Sequence, residues 1–125
     1  MVNQFMGYTV HGATEFRPNT ILFTKENETI TVSMLQEALG RIVETIIAKN
    51  NPTFSKYKAT LKVLQAIQVR LTNKQAQRPS KEELKTACEV LSEIQKEHAT
   101  SEEQKNRIDT AAFQCKLFIE CFMRD

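Results

Sequence analysis

The sequence is poor in residues that interrupt helices. Its 125 residues include only three glycines, three prolines and no tryptophan, whereas the apolar fraction of 41% and the charged fraction of 26% are ordinary for globular proteins. So few turn-forming residues argue against a turn-rich β fold. We therefore expect one all-α domain: a compact antiparallel four-helix bundle over residues 33–125, with an irregular or hairpin-like N-terminal arm over residues 1–32.

Enzyme motifs are also lacking. The sequence has no phosphate-binding glycine loop, no dinucleotide fingerprint, no zinc-protease motif and no serine-centred elbow. Its only histidines are His11 and His98, and its three cysteines, Cys88, Cys115 and Cys121, lack metal-ligand spacing. We expect reduced, buried thiols, no metal and no cofactor, and no catalytic activity. The alternative is a cysteine–histidine enzyme that pairs His98 with Cys88 or Cys115.

Targeting and membrane signals are not apparent. The first ten residues lack the basic start and the continuous apolar core of a signal peptide. No apolar run approaches the roughly 18 residues of a transmembrane helix. We expect a cytosolic protein that does not insert into membranes.

Two β-prone runs lie within the N-terminal arm. Residues 21–24 and 29–32 flank a polar tetrapeptide, so that either a small hairpin or an extended strap is expected. A hairpin would need support from the helices, because an isolated one is marginally stable in water. Residues 1–20 have no helical period, but their aromatic side chains favour packing onto the bundle.

Capping signals divide the rest of the chain into four helices. The patterns Ser33–Gln36 and Ser80–Glu83 are capping boxes, and Pro52 suits the first position of a helix. Pro79 cannot continue a helix. Within the first helix, Gly40 costs about 1 kcal/mol relative to alanine, and it predicts a close contact between helices. The predicted helices span about residues 33–49, 52–77, 81–98 and 102–123.

The second predicted helix has two apolar faces. Val63 and Ile67 lie on a different side from its main stripe, so this helix should contact two neighbours. The main stripe comprises Phe54, Tyr57, Leu61, Leu64 and Leu71. The charges of this part of the chain are equally unusual. No acidic residue occurs between Glu44 and Glu82, whereas this interval contains eight lysines and arginines.

The third predicted helix reverses this charge. Residues 82–103 contain seven glutamates and only two lysines, so the net charge of +2 conceals a segregated surface. Glu89, Glu93 and Glu97 are expected to line a flank that faces the basic helix. Ion pairs of this kind contribute about 0.2–1 kcal/mol each, and they select the order of the helices more than they stabilise the fold.

The end of the sequence resembles the translocation signal of Legionella type IV secreted effectors. Glu102 and Glu103 lie some 20 residues upstream of Phe122 and Met123, which are the fourth and third residues from the C-terminus. The small size, the Lys/Asn/Thr-rich composition and the lack of enzyme motifs are similar to that group. The resemblance covers about the last 25 residues, and it implies a virulence protein that binds a host factor.

These patterns predict a non-catalytic protein–protein interaction module. One set of residues would steer an acidic partner: Lys56, Arg70, Lys74 and Arg78. A second set would supply hydrophobic anchors: Phe118, Phe122 and Met123. The last turns of the fourth helix are apolar nearly all round, so either the N-terminal arm or a partner should cover them, and a homodimer through this end is an alternative. A nucleic-acid-binding protein that uses the basic helix is the other alternative.

Overall fold

The computed structural model describes residues 4–12, 15–48, 55–72, 78–97 and 103–123. Within these residues, a four-stranded antiparallel sheet precedes four α-helices. The strands are β1 (Gln4–Phe5), β2 (Tyr8–Val10), β3 (Ile21–Lys25) and β4 (Glu28–Thr31). The helices are α1 (Val32–Ala48), α2 (Ser55–Thr72), α3 (Lys81–Glu97) and α4 (Glu103–Phe118), and α4 continues into a π-helical turn, Ile119–Met123.

The sheet makes this a mixed α and β protein, so the prediction of an all-α fold was wrong. Each strand pairs with the next in the order β1-β2-β3-β4. The hairpin alternative for the arm is correct for β3 and β4, whose register pairs Phe23 with Ile30. The pairing of β1 with β2 was not predicted, because two- and three-residue strands are too short to show an alternating pattern.

Residues with positive φ angles form the two tight turns. Met6 and Gly7, with φ angles of 52° and 84°, occupy the two central positions between β1 and β2. Positive φ at both positions is characteristic of a type I′ turn, whose twist matches that of antiparallel strands. Glu26, with a φ angle of 50°, begins the two-residue connection between β3 and β4.

Side-chain caps set the starts of two helices. The backbone N–H of Met34 donates to Oγ1 of Thr31 at 3.3 Å, so that Thr31, rather than the predicted Ser33, caps α1. The predicted capping box of α3 is confirmed. The N–H of Glu83 donates to Oγ of Ser80 at 3.1 Å, and the N–H of Ser80 donates to Oε1 of Glu83 at 3.0 Å. The predicted start of the second helix at Pro52 lies outside the described residues.

The helices pack in a ring in which each contacts the next and α4 contacts α1. The predicted contact of α2 with two neighbours is confirmed, since α2 packs against both α1 and α3. Val63 and Ile67 on the second apolar face are fully buried. The main stripe is buried at Leu64 and Leu71 but only partly buried at Tyr57 and Leu61. The close contact predicted at Gly40 is absent, since a Cβ atom there would meet nothing within 4 Å among the described residues.

An aromatic cluster joins the sheet region to the end of α4. The rings of Phe118 and Phe122 stack with centroids 4.9 Å apart. Phe23 of β3 packs edge-on against Phe122 at 5.6 Å, and Phe16 packs against Phe118 at 6.1 Å. The sequence predicted that either the N-terminal arm or a partner covers the apolar end of α4. In the structure the N-terminal region covers it. No helix in the described part of the chain is long and apolar enough to cross a membrane.

Candidate interaction surface

Ion pairs connect the basic α2 to the acidic α3. Nζ of Lys56 lies 3.1 Å from Oε2 of Glu93, and Nζ of Lys62 lies 3.3 Å from Oε2 of Glu83. The predicted facing of the two helices is therefore confirmed for Glu93, and Glu83 forms a second pair that was not predicted. These pairs are partly exposed, so each contributes at most about 1 kcal/mol. Their main effect is to neutralise part of the positive surface.

Two arginines interact electrostatically where α2 ends and α3 begins. Arg70 is half-buried near the end of α2, whereas Arg78 is exposed at the entry to α3. Burial lowers the pKa of Arg70, and the positive charge of Arg78 lowers that pKa further. Nη2 of Arg78 donates to the carbonyl oxygen of Phe122 at 3.4 Å, a contact that holds this arginine against the end of the bundle. The predicted site residue Lys74 lies outside the described residues.

A pocket of about 270 Å³ lies between α2 and the start of α3, and we call it the basic pocket. Its lining residues are Lys62, Ala66, Arg78, Pro79 and Glu83. The i, i+4 spacing places Arg70 one turn beyond Ala66, on the same side of α2 as Lys62. The small side chain of Ala66 thus leaves a recess in which Arg78 supplies the positive charge, because Lys62 is paired with Glu83. A carboxylate would fit this charge distribution, because Glu83 is the pocket's only acidic lining residue in the described part of the chain.

The predicted hydrophobic anchors are not on the surface. Phe118 and Met123 are 1% and 3% exposed, and Phe122 is half-buried within the aromatic cluster. They form the core between the N-terminal region and α4, so they are not available to a partner in this fold. The homodimer predicted through the same end would require this core to open. An exposed apolar residue does precede Arg70 in α2, since Val69 is 52% exposed.

The thiols do not resemble activated nucleophiles. Burial raises the pKa of Cys115, and burial together with the charge of Glu120 raises the pKa of Cys121 to about 11. Activation requires the opposite direction, because the thiolate is the reactive form. Cys88 is half-buried, and its Sγ donates to Oε1 of Glu120 at 3.5 Å. His98, the partner required by the enzyme alternative, lies outside the described residues.

His11 and the acidic side chains of the described residues are not arranged as a metal site. Nε2 of His11 lies 2.9 Å from Oγ1 of Thr24 on the exposed side of the sheet. Among the described residues, no group of three or more His, Cys, Asp or Glu side chains is arranged to hold a metal ion. The geometry offers a surface for recognition, with the basic pocket as its most distinctive feature.

The sequence predicted Arg70 and Arg78 as site residues but not the pocket that Arg78 lines together with Lys62. The available signal was the i, i+4 series Lys62, Ala66 and Arg70, in which a small residue separates two cations. No protein-family model, no curated protein sequence and no solved structure matches this chain. The interpretation of the site therefore rests on its geometry and charge.

Proposed function

We propose that this protein is a non-catalytic interaction module that binds an acidic segment of a partner protein at the basic pocket. The observation that carries the proposal is the basic pocket itself, a recess beside the small Ala66 that Arg78 and Lys62 line. The positive charge of Arg78 also acts on Arg70, and an anion bound near Arg78 would reduce this repulsion.

The surroundings of the pocket favour a protein ligand. Val69 offers an exposed apolar contact next to Arg70, and interfaces commonly combine an apolar residue with arginine. A guanidinium binds a carboxylate through two parallel hydrogen bonds, which gives direction as well as charge. An acidic partner would also be attracted over a distance of about 8–10 Å at physiological salt, which speeds association.

Nucleic-acid binding remains the alternative function, but the charge pattern supports it less well. A protein that binds nucleic acid needs several cations along the phosphate backbone. Lys56 and Lys62 already pair with glutamates of α3, so the extended basic stripe suggested by the sequence is interrupted. The salt dependence of binding separates the two functions, because release of several counterions makes phosphate binding fall steeply with salt.

The cytosolic and effector assignments belong to the same proposal. If the tail acts as a type IV translocation signal, the acidic partner would be a host protein. Met123 is buried and Phe122 packs against Phe23 in the folded protein, so recognition of this tail would require its release from the core. Fusion to an enzymatic reporter that is active only in host cytosol tests translocation. A reporter signal that depends on the type IV system supports the assignment, and its absence removes it.

The binding proposal is tested by affinity capture from a nuclease-treated cytosolic lysate, followed by mass spectrometry. The test variant is Arg70→Gln/Arg78→Gln, which removes two charges while keeping polar side chains. A matched control, Arg41→Gln/Lys85→Gln, removes two exposed cations from α1 and α3. We expect a protein with an acidic segment to be retained by the wild type and by the control, and lost by the test variant. Capture that requires intact nucleic acid would favour the alternative, and equal capture by all three proteins would contradict the proposal.

A further inference from the structure

A second cavity, chemically unlike the basic pocket, lies between the sheet and α4. Its volume is about 390 Å³, and we call it the α4 cleft. Tyr8 of β2 and Glu28 of β4 contribute to one wall, and Asp109 and Phe113 of α4 contribute to the other. Gln114 of α4 adds an amide to the lining. A cavity with an apolar surface and a few convergent polar groups is the usual form of a small-ligand site.

Aromatic rings meet at this cleft. The centroids of the Tyr8 and Phe113 rings are 5.9 Å apart, and the rings are tilted by 45°. Their positions are fixed from both sides, because Tyr8 also packs edge-on against buried Phe23 and its hydroxyl donates to Oε2 of Glu28 at 2.8 Å. Ring faces attract cations. The Tyr8 ring already makes one such contact, since Nζ of Lys25 lies 5.2 Å from its centroid, although Lys25 does not line the cleft.

The charge of the cleft is negative. Glu28 and Asp109 are its charged lining residues within the described part of the chain, and no lysine or arginine there lines it. Oδ1 of Asp109 is buried and has no hydrogen-bond partner among the residues that the structure describes. A buried acceptor without a donor is unfavourable, and a carboxylate oxygen is more so because it carries charge. No donor offsets the negative charge at this oxygen among the described residues. Because Asp109 lines the cleft, its charge makes the cleft more negative.

We propose that the α4 cleft binds an alkylammonium group, with its positive charge between Glu28 and Asp109 and its methylene groups against Tyr8 and Phe113. A lysine side chain of a partner and a free aliphatic amine both have this chemistry. Carboxylates supply the charge, and aromatic rings supply both apolar contact and cation–π attraction. The site is distinct from the basic pocket, because the two cavities share no lining residue and prefer opposite charges.

The proposal is tested by NMR titration of the folded protein with n-butylammonium chloride. The uncharged n-butanol, of similar size, serves as the control ligand. We expect saturable shifts of the Phe113 and Gln114 side-chain signals with n-butylammonium only. The test variant is Glu28→Gln/Asp109→Asn, and its control is Glu44→Gln/Glu89→Gln, which removes two exposed carboxylates elsewhere. We expect at least a tenfold weaker affinity in the test variant and an unchanged affinity in its control.

Shifts of equal size with n-butanol, or an affinity unchanged in Glu28→Gln/Asp109→Asn, would overturn the proposal. If the double variant does not fold, Glu28→Gln alone serves, because Glu28 is exposed and lies outside the buried core. Titration with putrescine and with the peptide acetyl-Ala-Lys-Ala-amide then separates the two sources of the ammonium group. Tighter binding of the peptide indicates a lysine of a partner, tighter binding of putrescine indicates a free amine, and no saturable binding of either contradicts the site.

Discussion

The positive charge of Arg78 acts on Arg70, whose pKa is lowered first by burial and then by this neighbour. The two residues are eight positions apart in the sequence and belong to the end of α2 and the entry to α3. Their proximity is unfavourable in the isolated protein, since like charges repel. Arg78 also lines the recess beside Ala66, and the positive charge there is the physical basis for proposing an anionic partner.

A double-mutant cycle measures this repulsion directly. Arg70→Gln, Arg78→Gln and the double variant are compared with the wild type by urea unfolding. Because both arginines make other contacts, the single variants alone are not diagnostic, whereas the coupling free energy isolates the pair. We expect a repulsive coupling of about 0.2–1 kcal/mol, the range for partly exposed charge pairs, and we expect it to shrink with added salt. An attractive coupling would contradict the account of this site.

Gly40→Ala should stabilise the protein. Gly40 lies in the middle of α1, and an added Cβ atom would meet nothing within 4 Å in the described part of the chain. Glycine in a helix interior is less favourable than alanine by about 0.5–1 kcal/mol, mainly because of backbone entropy. We expect the free energy of unfolding, measured by urea denaturation, to increase by this amount. A decrease would show that a neighbour occupies the space beside Gly40.

Phe118→Ala should destabilise the protein severely. The Phe118 side chain is 1% exposed and stacks on Phe122. Removal of a buried phenylalanine side chain costs about 3–5 kcal/mol. Val69→Ala provides the surface control, because Val69 is 52% exposed and its truncation should change stability by less than about 0.5 kcal/mol. Equal effects of the two substitutions would restore Phe118 as a surface anchor.

The ionisation of Tyr8 should make stability fall at high pH. Burial raises the pKa of Tyr8 above 10.0, and the hydrogen bond to Glu28 raises it further. The folded state therefore holds this proton more tightly than the unfolded state. Its contribution to stability is fully present below pH 10.0 and is lost as the pH rises through the folded pKa. We expect the difference in the free energy of unfolding between the wild type and Tyr8→Phe to decrease as the pH rises from 10.0 through the folded pKa of Tyr8.

Ultraviolet titration in a Tyr57→Phe background checks the same point, because Tyr8 is then the only tyrosine. The pKa observed for the folded protein should exceed that of the unfolded chain in denaturant. A folded pKa at or below the unfolded value would contradict both the burial of Tyr8 and its hydrogen bond to Glu28.

The helices and one capping box could be predicted from the sequence because their signals are local. Ser80 and Glu83 are three residues apart, and their reciprocal hydrogen bonds need only that spacing. The pattern of charges likewise predicted ion pairs between α2 and α3, and Lys56 with Glu93 is one of them. From the sequence, Arg70 and Arg78 were grouped only as members of one set of positively charged residues.

The pairing of β1 with β2 and the packing of the aromatic cluster could not be predicted because they depend on distant residues, whereas the hairpin of β3 and β4 was one of the predicted alternatives. β1 and β2 are too short to show alternation, and they are stabilised by a turn at Gly7 and by pairing with β3. The burial of Phe118 and Phe122 depends on Phe16 and Phe23, about 100 residues away in the sequence. The same aromatic residues therefore resembled surface anchors when the sequence was considered alone.

Site-specific photocrosslinking tests the central claim most directly. A benzophenone amino acid is placed at Val69, which precedes Arg70 in α2, and at Ile47 on α1, a control position that is 63% exposed. We predict that, in a nuclease-treated cytosolic lysate, the protein labelled at Val69 crosslinks to a protein with an acidic segment, and that the protein labelled at Ile47 does not. We further predict that Arg70→Gln/Arg78→Gln abolishes the adduct. An adduct that persists without these arginines, or no adduct at Val69, would contradict the account.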